Sequence, residues 1–148
     1  MAKVKGCDLP DELFYNVENN VWARREADGN VTVGMTAYAC ALAGQIVSFT
    51  PKKAGKAIDQ NKSVSTVESG KWVGPVKTPV SGEIVAVNDA LAGKPATINS
   101  DPYGSGWMVK LKPSNWDGEA GALVTGAAAT SAFEAKMNAE GFGGCNQA

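Results

Sequence analysis

The chain has 148 residues, 44% apolar and 20% charged, with a formal net charge of −1. This is the balance of one ordinary soluble globular unit, large enough to bury a core. It offers no basic footprint for nucleic acid and no polybasic membrane patch, and no apolar run approaches the roughly 20 residues that span a bilayer. There is no histidine, which removes Ser-His-Asp and Cys-His nucleophiles, histidine proton shuttles and histidine metal sites together. The charged N-terminus, residues 1–6, leads into no apolar segment, so a secretory signal is not expected and the cytoplasm is the default location.

Taken in order, residues 9–15 read as a lead-in segment. A hairpin follows: residues 21–26 are extended, Asp28-Gly29-Asn30 is a turn signal, and residues 31–35 return. Thr36 is placed as the N-cap of a short helix over 38–42, stopped by Gly44. Residues 45–49 alternate as a strand ended by Pro51. A polar turn at 59–62 precedes a strand over 63–67, and a second strand over 76–80 continues through the Ser81-Gly82 turn into 83–87. The recurrence of strand, corner and strand suggests two related halves folded over each other as a flattened β-barrel or sandwich. Pro95 and Pro102 argue against a long helix after Asn88. Residues 107–112 form a closing strand. A C-terminal helix is expected over 130–137, with Thr130 as its N-cap and an end near Gly141. The whole chain, 1–148, reads as one domain with mobile ends near 1–8 and 142–148.

Between the two central strands lies the corner Glu68-Ser69-Gly70-Lys71-Trp72. A lysine at a hairpin tip projects into solvent on four methylenes, and acylation of its amine removes the charge and lengthens the arm. A rigid platform around a mobile tip suits a carrier that visits other active sites. Most other lysines here read as solvated surface charges. Three cysteines, Cys7, Cys40 and Cys145, are odd in number and form no CxxC pair, so neither a zinc knuckle nor a disulfide framework is suggested. Cys40, in the short helix, reads first as a small buried hydrophobe. Cys7 and Cys145 lie in terminal segments, where an exposed thiol could exchange sulfur; a bond joining the two ends is the other arrangement open to them, one that cytosolic reduction works against.

These residues resemble the H protein of the glycine cleavage system, a member of the biotinyl/lipoyl-carrier fold (barrel-sandwich hybrid) with short helices towards both ends. The resemblance covers roughly residues 15–140. It rests on residues 22–24 and 28–36, on Gly44-Gln45-Ile46-Val47, on Glu68-Ser69-Gly70-Lys71, on residues 79–85 and on the run 99–110. It implies that Lys71 carries lipoate through an amide, with Glu68, Ser69, Gly70 and Trp72 as its surroundings, and that the chain is a carrier rather than an enzyme. Biotin carriers favour methionine on each side of the lysine, where Gly70 and Trp72 stand here.

Four departures from the family pattern stand out. Trp72 follows the lysine where a small residue is usual. Gly74-Pro75 replaces a polar segment, Asn19-Asn20-Val21 stands where the family has a histidine, and the segment 36–40 carries Ala37 in place of a carboxylate and introduces Cys40. Burying a tryptophan removes about 150–250 Å² from water, an upper bound of roughly 4–6 kcal/mol, so Trp72 must pack on the barrel, cover the arm or await a partner. These departures resemble the lipoate-binding proteins of a heterodisulfide-reductase-like sulfur-oxidation system. That resemblance implies a sulfur intermediate as cargo, with Cys40, Cys7 or Cys145 as possible sulfur-handling thiols. The implied partners are a lipoate ligase, the heterodisulfide-reductase-like complex and a flavin disulfide reductase of the dihydrolipoamide dehydrogenase type. Two alternatives stand beside it: a glycine cleavage H protein carrying the aminomethyl intermediate, and an unmodified scaffold.

Overall fold

The computed structural model describes residues 2–145. The chain opens with a hairpin of β1 (Ala2–Val4) and β2 (Cys7–Leu9), turned by Lys5 and Gly6, both at positive φ. Strands β3 (Phe14–Asn16), β4 (Val21–Arg25) and β5 (Val31–Met35) follow, then helix α1 (Ala37–Ala43). The central stretch holds β6 (Ile46–Pro51), β7 (Ala57–Ile58), β8 (Ser63–Ser69), β9 (Val73–Lys77) and β10 (Gly82–Val87). Two single-turn helices, α2 (Ala90–Gly93) and α3 (Thr97–Ser100), lead to β11 (Val109–Pro113). Helix α4 (Trp116–Glu119), a 3-10 turn, β12 (Val124–Thr125) and helix α5 (Gly126–Ala139) complete it.

Seven strands in the order β12-β3-β4-β5-β11-β10-β7 form one sheet, and β6-β8-β9 form a second that faces it. This is the expected β-sandwich of the carrier type. Around the central corner, alternation sets which side chains enter the core. In β9, Gly74 and Val76 are buried while Val73, Pro75 and Lys77 face out, and in β8, Val67 and Ser69 point in on either side of Glu68. Pro51 closes β6 as expected, and Pro75 sits inside β9; both are tolerated because β6 and β9 are the edges of their sheet, where a missing N–H costs no ladder bond. Val64, Val67 and Val76 from this sheet meet Val31, Val33, Ile84 and Leu111 from the other.

A second apolar cluster lies outside the sandwich, where α5 and the N-terminal hairpin cover Tyr15, Trp22 and Tyr38. Phe133 of α5 is fully buried there and sits edge-on to Tyr15, with ring centres 5.6 Å apart. This cluster corrects the expectation of a free N-terminal segment. Val4, Cys7 and Leu9 are buried, and the tail after α5 is tied back by Cys145, whose N–H donates to the Lys5 carbonyl at 2.9 Å. Cys7 and Cys145 form a disulfide, with Cα atoms 5.1 Å apart, so neither is the exposed terminal thiol expected. Residues 146–148, the last of the expected mobile tail, lie outside the described residues.

Thr36 caps α1 as expected, its hydroxyl accepting from the Ala39 N–H at 3.1 Å, and Gly44 ends the helix at φ 82°. The last helix differs from expectation. It begins four residues before Thr130, whose hydroxyl turns back onto the Gly126 carbonyl at 3.3 Å. A threonine inside a helix can make that bond as readily as a cap bond, and Gly126 at φ 57° supplies the true break.

Candidate functional site

The β8–β9 hairpin pairs Glu68 with Val73 and Val67 with Gly74, which leaves Gly70, Lys71 and Trp72 as its tip. Ser69 locks the root. Its N–H donates to the Trp72 carbonyl at 2.8 Å, closing the turn, and its buried hydroxyl donates to the Ala43 carbonyl at 2.6 Å. The same oxygen accepts the Lys71 N–H at 3.3 Å. One serine thus ties the tip to the last turn of α1. Gly70 carries no steric requirement: a Cβ there would meet nothing within 4 Å.

Lys71 is exposed, and its aliphatic stem lies back along Gly44, where a Cβ would stand 3.2 Å from the lysine Cε. Glu68, three residues away, faces outward on the strand. The ion pairs among the described residues are Lys3–Asp8 and Arg24–Glu26, so among those residues no carboxylate pairs with the Lys71 ammonium. Trp72 is 39% exposed. Its indole is laid across Gly74, where a Cβ would fall 2.1 Å from Cζ2. The glycine is therefore the seat of the tryptophan, and Trp72 packs on the barrel with one face left open.

That face looks into a groove of about 470 Å³ bounded by Lys71, Trp72, Pro75 and Val76 on the hairpin side. Ala39, Leu42 and Ala43 of α1 form a second wall, and Asn19, Asn20, Val21 and Met35 close the far side. Among the described residues that line it, Lys71 is the only ionisable one. Three of the four sequence departures thus meet in one place: Trp72, Pro75 and the Asn19-Asn20-Val21 turn share this groove, and Ala39 brings in the fourth segment. Ala37 and Cys40 belong instead to a different cavity.

Cys40 does not join Lys71. It is 5% exposed, its thiol donates to the Ile98 carbonyl at 3.4 Å, and burial pushes it up to about 12, far from the thiolate that sulfur chemistry needs at neutral pH. Cys7 is fully buried in its disulfide. Several residues that shape the site carried no sequence signal. Asn99 accepts the Ile46 N–H at 2.8 Å and donates to the Gly44 carbonyl at 2.9 Å, fixing the chain just behind the lysine stem. It stands out in sequence only as part of the run 99–110, and its target, 55 residues upstream, is set by the fold.

A rigid sandwich that presents one lysine at a hairpin tip beside an apolar groove is the layout of the biotinyl/lipoyl-carrier class. The Glycine cleavage H-protein family model matches residues 13–136, and the chain belongs to that family. Glycine cleavage system H protein 5 of Aquifex aeolicus is 57% identical over 119 residues, covering 78% of this chain and 80% of that protein. Probable glycine cleavage system H protein 2 of Sulfurisphaera tokodaii is 45% identical over 142 residues, 95% of each chain. A crystal structure of a glycine cleavage system H protein from Mycobacterium marinum superposes with a TM-score of 0.73 at 32% identity, covering 90% of this chain and all of that one. H proteins act as carriers alongside partner enzymes and are not enzymes themselves. The comparisons do not support the sulfur-oxidation reading. These relatives are named for glycine cleavage, and with that reading goes the heterodisulfide-reductase-like partner. Among the described residues no helix is long and apolar enough to cross a membrane.

Proposed function

We propose that this chain is a lipoyl carrier of the glycine cleavage type, with lipoate in amide linkage to Lys71 Nζ. The observation that carries the reading is Lys71 itself, on a tip anchored through Ser69 to α1 and opening on the apolar groove. The residues present fit the group. The lysine stem is already supported along Gly44, and Val21, Met35, Leu42 and Trp72 offer apolar walls to a chain of methylenes.

When bound, lipoate supplies a cyclic disulfide that opens to two thiols and takes up or releases cargo through sulfur. The chain's own part is placement. Ser69 holds the tip in register, Asn99 and Gly44 keep the backbone behind it fixed, and the Asn19 and Asn20 side chains are the neutral polar groups at the groove's far wall. Trp72 on Gly74 shields one side of the groove from water. A lipoate ligase or equivalent would install the group in the cytoplasm, and the glycine cleavage enzymes would load and unload it, with a flavin disulfide reductase restoring the cyclic disulfide.

Intact-mass spectrometry after co-expression with a lipoate ligase tests the attachment. The expected result is a gain of one lipoyl group on the native chain and none on Lys71→Arg. An unchanged native mass, while an ordinary H protein is modified in the same host, refutes the carrier reading. Incubation of the modified protein with glycine decarboxylase and glycine then tests the cargo. Loading of the arm supports glycine cleavage, and a modified arm that stays unloaded overturns that part alone.

A further inference from the structure

Helix α1 serves two neighbourhoods at once. Towards its C-terminus, Ala39, Leu42 and Ala43 wall the Lys71 groove, and the Ala43 carbonyl receives the Ser69 hydroxyl. Its N-terminal half is gripped by the two chain ends. The Ala37 N–H donates to the Tyr103 hydroxyl at 2.9 Å, and that hydroxyl donates in turn to the Asp8 carbonyl of β2 at 2.6 Å. Tyr38 meets Phe142 edge-on at 4.7 Å and donates its hydroxyl to Glu140. Cys145 Sγ lies 3.8 Å from the Ala37 carbonyl. The Cys7–Cys145 bond closes this grip.

The two sulfurs differ in access. Cys7 is fully buried, whereas Cys145 is partly exposed and forms part of the wall of a cavity of about 580 Å³ shared with Gly6, Asp8, Ala37 and Tyr103. Cys40 lines the same cavity but keeps its thiol on the Ile98 carbonyl.

We propose that the Cys7–Cys145 bond is a thiol-exchange site whose redox state sets how firmly α1 holds the wall of the Lys71 groove. The reactant is a dithiol, protein or small molecule, that enters the cavity. One of its thiolates attacks Cys145 Sγ, the bond to Cys7 breaks, and Cys7 leaves as a thiolate that takes up a proton. The second thiol of the reactant then displaces Cys145, so the reactant becomes a disulfide while two electrons and two protons end on the two cysteines. Reduction removes the covalent tie between the tail and β2 and leaves α1 held by non-covalent contacts alone: Tyr103, the Tyr38 contacts to Glu140 and Phe142, and Ser69. The structural step stands by itself; its consequence for the arm rests on the carrier reading.

The test uses the full-length protein, oxidised and then treated with dithiothreitol without denaturant, followed by alkylation in denaturant and intact-mass counting. The oxidised form is expected to show one alkylated thiol, Cys40, and the reduced form all three cysteines. Hydrogen exchange is then read at the Cys40 and Gly44 amides, which donate to the Thr36 and Cys40 carbonyls. Reduction is expected to speed both by about tenfold, with the β4–β5 amides unchanged, as for a local opening. Cys145→Ser should behave as the reduced form does and no longer respond to dithiothreitol; if it does not fold, the reduced native chain decides. Three free thiols before treatment, a bond that native-state dithiothreitol leaves intact, or unchanged α1 exchange after reduction each overturn the proposal. Failure of Lys71 to take lipoate in either redox state counts against the carrier reading and leaves the exchange result standing.

Discussion

Trp72 and Gly74 work as a pair. The indole occupies the space that any side chain at residue 74 would need, so the residue after Lys71 is positioned by an absence two residues on. Gly74→Ala is expected to lift Trp72 off the strand, exposing the indole and opening the groove, whereas Gly70→Ala should be silent because nothing stands near that Cβ. A red-shifted tryptophan emission and easier acrylamide quenching in Gly74→Ala, both absent in Gly70→Ala, check this; two indistinguishable spectra would show that Trp72 does not rest on Gly74. At this scale the sequence carries Lys71 clearly, since a hairpin tip is a local feature. It leaves three fates open for Trp72, because the spacing to Gly74 does not say whether the ring folds back onto its own strand or stands away from it.

The β4–β5 hairpin shows how an element can be stabilised from its turn. Glu26 accepts from the Thr32 hydroxyl and from Arg24 Nε, and the Thr32 hydrogen bond in particular holds its carboxyl below the usual carboxylate range. A carboxylate whose folded value is depressed contributes stability that is fully present above its unfolded value and is lost as pH falls through the folded one. Glu26→Gln is therefore expected to lower the urea midpoint at neutral pH, and the gap to the native protein should close on acidification through the carboxylate range. A gap that stays constant with pH would mean that the ionised form is not what matters. This hairpin was legible from Asp28-Gly29-Asn30 and its alternating flanks. The short strands β2, β3 and β12 were not, because runs of two or three residues have no period to read and exist only by pairing with distant partners. Thr130 misled for a related reason, offering the same hydroxyl to a cap or to the preceding turn.

Over the whole molecule, the groove is held from behind by the last helix. Lys136 of α5 donates to the Val17 carbonyl at 2.7 Å, the Glu18 carbonyl at 3.2 Å and the Asn20 side chain at 2.8 Å. That turn, with Asn20 at φ 57°, is the groove's far wall. Lys136→Met keeps the aliphatic packing and removes the three donors, which should cost about 1–3 kcal/mol. Faster hydrogen exchange confined to residues 17–20 and α5 is the expected signature, checked together with the urea midpoint. Equal exchange in both proteins would show that the turn holds its own shape.

Sequence by itself determined the local chemistry. Alternation defined the sandwich strands, Thr36 and Gly44 bounded α1, the lack of histidine removed whole classes of catalysis, and the hairpin signal marked Lys71 as an exposed tip. These depend on neighbours within a few residues, where period and turn preference act directly. Tertiary structure alone decided what surrounds that lysine. Residues 19–21, 39–43 and 72–76 are far apart in the chain and become one groove only when two sheets and a helix pack. Cys7 and Cys145, 138 residues apart, became partners because the N-terminal hairpin and the segment after α5 bury the same aromatic cluster, and no local pattern records that meeting.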